Sequence, residues 1–449
     1  MKRLLLTHGY FLAEDAKEQQ IMKPYPPLGI LYLSSHLRAR GFRVDVYDST
    51  FGSREELFGI LDNEPGGTIG IYGNLMTRSN VLAIAERAHA DGWLVVLGGP
   101  EPANYADEFL ARGADVIIEG EAETTLEQLA ATDFDREFWP SIQGLIYRAN
   151  DRKIVRTGPV ELMHDLDRQP WPDREQVDIG RYLDVWRAHH GLGSVSLITA
   201  RGCPFKCNWC SHSVYGHTHR RRSPTGVVDE IEWILNRYNP EMLWMADDVF
   251  TIHHGWLAQY AGEMQRRGIR IPFECITRAD RVSPTVAATL AALGCIRVWI
   301  GSESGSQKIL DAMQRGVTTD QVRAAVALCR SNGIQVGMFL MWGYEGEEIS
   351  DVEATVDHVK RCRPDVFFTT VSYPIKGTPY FDRVSSKVVH IRPWNESTDR
   401  DVAICGRHSR RFYHCADELL RAEMATEPNE LRINAARCAL ESAASEAEV

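Results

Sequence analysis

Hydrophobic positions in the first third of the chain fall in short runs, RLLLTHGY, FRVDVYDST, TIGIYGN, WLVVLGGP and ADVIIEGE. Between them lie stretches of helical spacing: PLGILYLSSHLRARG and segments near residues 53–62, 79–91 and 104–112. Few polar residues interrupt the strand runs. The pattern therefore predicts a parallel sheet covered by helices on both faces, a doubly wound α/β domain over residues 1–130. The ligand site of such a sheet lies beyond the carboxyl ends of its strands, where HGY, DST, YGNLMT, GGPEP and EGEAE converge.

Residues 131–190 break this rhythm. They hold Pro140, Pro159, Pro170 and Pro172, several Asp and Arg residues and one short strand candidate, GLIYR, and read as a connecting segment. From Ser194 the alternation resumes with SVSLITA, EMLWMADD, PFECITR, IRVWIGS, IQVGMFLMW and VFFTTVSY. Helices are predicted near 225–238, 255–268, 284–293 and 350–361, with two more between 306 and 331. Six strand–helix units over residues 191–385 predict an open or partial barrel, with its chemistry at the carboxyl ends of the strands. Residues 386–449 hold a basic, aromatic stretch, GRHSRRFYH, followed by Ala-rich, helix-forming sequence.

Composition excludes several classes. Hydrophobic residues make up 44% of the 449 and charged residues 25%, which rules out a disordered, collagen-like or membrane-embedded chain. Lys and Arg total 50 against 61 Asp and Glu, a net charge of -11 that argues against general nucleic-acid binding. No run approaches the ~20 apolar residues needed to cross a bilayer, and MKRLLLTHGYF is broken by His8 and Gly9. The expectation is a cytoplasmic protein with no membrane partner. Of ten cysteines none precedes Cys203, and three crowd into eight residues. That spacing suits a metal centre in a reducing compartment better than a secreted disulfide framework.

RGCPFKCNWC places Cys203, Cys207 and Cys210 in a C-x3-C-x2-C array directly after a strand. Three thiolates bind a soft metal but are one short of the four that close a zinc or ordinary iron–sulfur site. A cluster with one iron uncovered by protein binds an external small molecule there, as a catalytic zinc keeps an open position. His212 leaves open a structural Cys3His zinc site. Trp209 either covers the cluster or a ligand base, or packs in the core.

The triplet resembles the signature of the radical S-adenosylmethionine (SAM) enzymes, whose fold is a partial (βα)6 barrel. The resemblance implies a [4Fe-4S] cluster on Cys203, Cys207 and Cys210. SAM would bind the fourth iron through its amino and carboxylate groups and be cleaved reductively to a 5'-deoxyadenosyl radical. Later strands match in order. MADDVF offers Asp247 and Asp248 to the SAM amino group, unless they are helix caps. ECITRAD offers Arg278 to the SAM carboxylate, unless it forms a surface ion pair. WIGSESGS offers Glu303 and Ser304 to the ribose. WGYEGEE resembles the family's G-x-P-G-E turn with Glu345 in place of Pro. YPIKGTPYF resembles its adenine-side segment, with Lys376 in place of Pro and Gly377 letting the backbone approach the ligand.

PPLGILYLSSHLRARGFRVDVYD, YGNLMTRSN, LGGPEPAN and IIEGEAE resemble the cobalamin-binding Rossmann domain of the cobalamin-dependent branch of that family. Its methyltransferases and the anaerobic magnesium-protoporphyrin monomethyl ester cyclase carry this domain. The resemblance implies cobalamin contacts from Tyr72, Asn74, Leu75, Met76, Thr77, Gly98, Gly99, Glu101, Gly120 and Glu121. The D-x-H-x-x-G motif, whose His ligates cobalt, is absent. His89 and Gly92 have the right spacing, but Arg87 stands in place of Asp and the segment reads as the end of a helix. Leu75 and Met76 would leave the lower corrin face apolar, unless they cap the sheet as core residues.

Together these features imply a cobalamin-dependent radical SAM methyltransferase, using methylcobalamin to methylate an unactivated carbon of a small-molecule substrate. A reducing partner such as flavodoxin or ferredoxin is implied with it. The alternative is a cyclase or rearrangement enzyme without methyl transfer, and a cofactor-dependent sensor is the non-enzymatic reading. A methylthiotransferase would need cysteines in the N-terminal domain, which has none. The seven later cysteines form no C-x2-C pair and read as ordinary buried thiols. Arg220 to Arg222 and GRHSRRFYH either meet an anionic ligand or form solvated, ion-paired faces.

Overall fold

The first hydrophobic runs form β1 (Leu4–His8), β2 (Val44–Val46), β3 (Thr68–Tyr72), β4 (Leu94–Gly98) and β5 (Val116–Ile118) in a computed structural model that describes residues 3–63, 66–398 and 401–446. The strands pair in parallel in the order β2-β1-β3-β4-β5. Alternate residues serve opposite faces. Leu5, Ile69, Ile71, Val95 and Leu97 pack with Leu57, Val81 and Ile84, while Leu4, Leu6, Val96 and Ile118 pack with Ile30, Leu37 and Leu126. Burial on both sides is why these runs are apolar throughout. β1 lies between β2 and β3, so the order reverses there and opens a crevice at the carboxyl ends.

The sheet continues past residue 130. β6 (Leu145–Arg148) and β7 (Ile154–Arg156) add two antiparallel strands beside β5. The segment expected to be a connection thus contributes to the first sheet before the chain passes on to the helix Ile179–His190. β7 is a partly exposed edge strand and lacks the apolar run that marked the others.

β8 (Ser194–Leu197) begins the second unit. A short antiparallel pair, β9 (Ala200–Arg201) and β10 (Arg220–Arg221), follows it. Then come β11 (Met242–Met245), β12 (Phe273–Thr277), β13 (Cys295–Glu303), β14 (Gln335–Trp342) and β15 (Val366–Val371). β8 and β11–β15 lie side by side in chain order, all parallel. Val227, Ile231, Leu257, Leu290 and Val326 on the helices pack against Leu243, Cys275, Val298 and Val336 on the strands. The opposite face lines the lumen of a partial barrel of six strand–helix units.

The tail expected to be helical begins with a hairpin, β16 (Val388–His390) and β17 (Val402–Ile404). Helices Arg410–Glu423 and Glu430–Ala443 then bury Phe412, Tyr413 and Leu419 against Leu340, Val352 and Val356 of the barrel. Among the described residues no helix is long and apolar enough to cross a membrane.

Candidate active site

The cysteine triplet sits in the loop between β9 and β10. Gly202 turns the chain there at φ +82, where a Cβ would lie 2.5 Å from the Thr218 carbonyl oxygen. Asp247, just beyond β11, accepts from the amides of Thr199 (2.7 Å) and Ala200 (3.1 Å), from the Thr199 hydroxyl and from Arg221 Nη2 (2.8 Å). It is buried. Expected beside the SAM amino group, Asp247 instead braces the base of the triplet loop. Strand alternation turns its neighbour Asp248 the other way, into the cavity.

That cavity, of about 390 Å³, holds all three cysteines. Trp209, His212, Asp248, Arg278, Glu303 and Arg315 give it polar walls, and Ile276, Phe339, Met341 and Phe368 give it apolar ones. Arg278 is held at three nitrogens. Nη1 donates to Cys207 Sγ (3.6 Å), Nη2 to the Arg315 carbonyl (2.8 Å) and Nε to Asp280 (3.0 Å), and the guanidinium lies 3.6 Å from the centre of the Phe205 ring. Arg315 Nη1 donates to the same sulfur at 3.6 Å. Sequence reading missed Arg315, which follows a short helix outside every motif and reaches the thiol only through folding.

Glu303 ends β13 at φ +62, a strained conformation for a non-glycine residue, with Arg315 Nε 3.7 Å away. Burial raises its carboxyl above the usual range, against the pull of Arg315 and Arg278. Burial and the charge of Asp247 raise Asp248 in the same way. Burial also pushes the Cys210 thiol up to about 12.

Ser304 and Gly377 do not line the cavity. The pairing of β13 with β14 slips a register between Gly301 and Glu303, and Ser304 is buried behind the lumen with its hydroxyl 3.1 Å from that of Thr355. Gly377, at φ +89, is approached not by a ligand site but by Asn104 of the first domain, whose Oδ1 would lie 2.8 Å from a Cβ. Trp209 is on the wall, and its buried Nε1 has no hydrogen-bond partner.

The donor set suits an iron–sulfur cluster. Two guanidinium groups address Cys207, which favours an anionic, thiolate-ligated centre. Among the described residues no three His, Cys, Asp or Glu side chains are grouped for a single metal ion. His212 stacks on His217 with ring centres 4.0 Å apart.

A second cavity, of about 790 Å³, lies where the carboxyl ends of the two sheets meet. From the first domain come His8, Tyr72, Asn74, Met76, Thr77, Gly98, Gly99, Gly120 and Glu121, and from the barrel Ser196, Ile198, Trp244 and Ala246. Asp248 and Ile276 line both cavities, so the two adjoin. Met76 and Tyr72 are 41% and 36% exposed, an apolar surface that a flat ligand would cover. Leu75 and Glu101 are not on this wall. Glu101 is buried against Arg78, whose guanidinium also faces the rings of Tyr105 and Trp394. Glu121 reaches the wall with its carboxylate engaged, accepting from Arg201 (2.9 Å), Arg220 (2.7 Å) and the Met163 amide (2.9 Å).

His89 lies in the last turn of the helix Arg78–Ala90, exposed and 3.7 Å from Asp115, away from the cavity. His8, missed in the sequence, ends β1 on the cavity wall. Its Nδ1 accepts from the Tyr10 amide (3.2 Å) and its Nε2 donates to Asp48 (3.0 Å), which also accepts from the Tyr182 hydroxyl (2.7 Å). With both ring nitrogens used, His8 is no substitute for the missing cobalt ligand.

The basic run resolves into ion pairs. Arg220 meets Glu121, Arg221 meets Asp247, and Arg222 meets Glu230, which is shared with Arg174. In GRHSRRFYH, Arg407 donates to the carbonyls of Gly343 and Ser372, and Phe412 and Tyr413 are buried.

Comparison with known proteins agrees with this geometry. The radical SAM superfamily model matches residues 197–359 and the B12 binding domain model residues 20–130. An uncharacterised methyltransferase of Pyrococcus horikoshii is 26% identical over 88% of this chain and 86% of its own. The anaerobic magnesium-protoporphyrin IX monomethyl ester cyclase of Rubrivivax gelatinosus is 26% identical over 86% of this chain and 70% of its own. Among solved structures, the radical SAM methyltransferase TsrM from Kitasatospora setae, with cobalamin and a [4Fe-4S] cluster bound, superposes with a TM-score of 0.70 at 20% identity, covering 88% of this chain and 78% of that one. The cobalamin-dependent SAM radical enzyme OxsB superposes at 0.72 and 18% identity, over 94% of this chain and 66% of that one. The chain carries a B12 binding domain followed by a radical SAM domain and is a cobalamin-dependent radical SAM enzyme. Its cofactors are a [4Fe-4S] cluster, SAM and cobalamin.

Proposed function

We propose that the protein is a methyltransferase acting on an unactivated carbon of a small-molecule substrate. The observation that carries this reading is the shared wall: Asp248 and Ile276 belong both to the cysteine cavity and to the cavity of the B12-binding domain. A substrate held over Ile276 would lie where the two cavities adjoin. When bound, SAM on the cluster supplies a carbon radical that removes hydrogen, and cobalamin supplies a methyl carrier.

Cys203, Cys207 and Cys210 hold the cluster, and Arg278 and Arg315 offset its negative charge at Cys207. Asp248 accepts from the SAM ammonium and Glu303 from ribose hydroxyls. Ile276, Phe339, Met341 and Phe368 keep water from the reacting carbon. Met76 and Tyr72, with Gly98 and Gly99, would give the corrin an apolar, side-chain-poor seat. A flavodoxin- or ferredoxin-like donor supplies the electron.

The test is anaerobic reconstitution with iron, sulfide and hydroxocobalamin, reduction, and incubation with SAM deuterated in its methyl group. The expected result is retained cobalamin beside one kind of cluster, release of 5'-deoxyadenosine, and label on the extracted corrinoid. A cluster without retained cobalamin overturns the reading. Release of 5'-deoxyadenosine with no label on the corrinoid also overturns it, and leaves the cyclase chemistry of the Rubrivivax relative as the second reading.

A further inference from the structure

Lys23 stands in the wall of the larger cavity, just after the helix Ala16–Ile21, and its ammonium reaches the barrel. The nitrogen lies 5.3 Å from the ring centre of Trp186 and 5.7 Å from that of Trp299 on β13. The loop is pinned in place, because Trp186 Nε1 donates to the Pro24 carbonyl at 2.6 Å. Among the described residues Lys23 has these two rings for company but no hydrogen bond or ion pair.

Glu274 on β12 is the carboxylate whose field reaches Lys23, and it is already committed. Arg297 Nη1 donates to one of its oxygens and Trp299 Nε1 to the other, both at 2.7 Å. Two cations and one carboxylate leave this end of the lumen with an uncompensated positive charge. Burial lowers the pKa of Lys23, and Arg297 pulls the same way. The rings attract the half-buried ammonium but offer it no hydrogen-bond acceptor, a need that an anion would meet. The arginines on the two cavity walls, Arg201, Arg278 and Arg315, all have carboxylates beside them.

Trp299 continues into an aromatic wall. Its ring lies 5.1 Å from that of Phe339 at 18° and 5.2 Å from that of Phe368 at 6°. Phe339 and Phe368 line the cysteine cavity, and Phe368 is 40% exposed. Trp299 is itself 2% exposed and lines neither cavity, so it backs this apolar wall while Phe339 and Phe368 line the cysteine cavity.

We propose that Lys23 binds an anionic group of the substrate, a carboxylate or phosphate, from the wall of the larger cavity, with the apolar body of the substrate extending toward the wall that the two cavities share. The inference rests on the proposed function in placing the substrate at the wall that the larger cavity shares with the cysteine cavity. The phosphate of the cobalamin nucleotide is the other source of the same chemistry, and the experiment separates the two.

Reconstituted holoprotein is dialysed to equilibrium against 1-naphthoate and, separately, against the neutral 1-naphthamide. The wild type is expected to hold naphthoate about tenfold more tightly or better. Lys23→Met should abolish that preference and Lys23→Arg should keep it, with cobalamin content unchanged in both. Equal binding of the two probes by the wild type, or a preference that survives in Lys23→Met, overturns the proposal. Cobalamin lost from Lys23→Met on desalting assigns the cation to the cofactor phosphate and overturns it equally. None of these readouts needs turnover. A wild type that shows no charge preference while methyl labelling is intact therefore removes this inference alone, and absent labelling with the wild-type preference intact removes only the methyltransferase reading.

Discussion

Arg201 donates to Glu121 at 2.9 Å across the junction of the two domains, two residues before the first cysteine of the triplet. Its second terminal nitrogen donates to Glu123 at 2.6 Å, and Arg220 reaches Glu121 from the far side of the same hairpin. All four side chains are nearly out of solvent. The ions that join the B12-binding domain to the barrel are thus covalently close to the triplet. On the proposed methyltransferase reading the two cofactor sites would need a set separation, and this buried network is placed to hold it.

Replacing Glu121 with Ala leaves Arg201 and Arg220 short of a buried counter-ion. A loss of about 3–5 kcal/mol is expected in urea unfolding. Burial opposes ionisation of Glu121, but Arg220 and Arg201 outweigh it and hold its carboxyl below the usual 4.5. Its contribution is therefore present above that value and fades as pH falls through the lower folded value. Glu121→Ala should flatten the acid arm of the stability profile. A change under about 1 kcal/mol would show the network to be dispensable.

Asp247 and Asp248 are adjacent but should fail differently. Asp247→Asn weakens charge-assisted bonds to two amides and to Arg221, for an expected loss of about 2–4 kcal/mol and poor iron incorporation. Asp248→Asn should leave stability within about 0.5 kcal/mol, yet weaken SAM binding roughly tenfold, measured by dialysis on the reconstituted protein. Equal stability losses in the two variants would contradict the division of labour seen in the structure.

The turn in which Glu345 replaces the expected proline is held by charge. Glu345 pairs with Arg383 (3.0 Å) and Lys387 (2.9 Å), while Glu347 accepts from the Gly343 amide at 2.6 Å. Burial pushes the Glu347 carboxyl from 4.5 up to about 8, against the pull of that amide. Below 4.5 the group is neutral whether folded or unfolded. Between 4.5 and about 8 only the unfolded chain ionises, so stability falls as pH rises across this window. Glu347→Gln should remove that slope and gain on the order of 5 kcal/mol at the alkaline end, read by thermal unfolding at a series of pH values. An unchanged slope would rule the group out as its source.

Cys203→Ala should abolish both the cluster, read as iron content and visible absorption, and release of 5'-deoxyadenosine. Retained cobalamin in that variant would show that the B12-binding domain folds around its cofactor without the cluster. Undiminished SAM cleavage would sink the assignment of the triplet.

The sequence alone determined the architecture and the chemistry class. Strands buried on both faces must be apolar at every position, so β1 and β3–β5 stand out as runs. Three cysteines within eight residues are a local pattern that needs no fold to be seen. The absent D-x-H-x-x-G motif was equally local, and His89 does lie at a helix end away from the cavity.

Tertiary structure decided which of several neighbouring residues faces a cavity. Asp248 rather than Asp247 faces the cavity because successive side chains at a strand end point opposite ways. Ser304 is turned away by a register slip in β13 that no motif announces. Arg315 meets Cys207 from 108 residues away, and Glu121 is committed to Arg201 and Arg220 instead of being open to a ligand. Lys23 acquires its setting from Trp186, Trp299 and Glu274, three elements distant in the chain. Such pairings are set by long-range packing and by the balance of buried charge, neither of which is written in the spacing of residues along a single strand or helix.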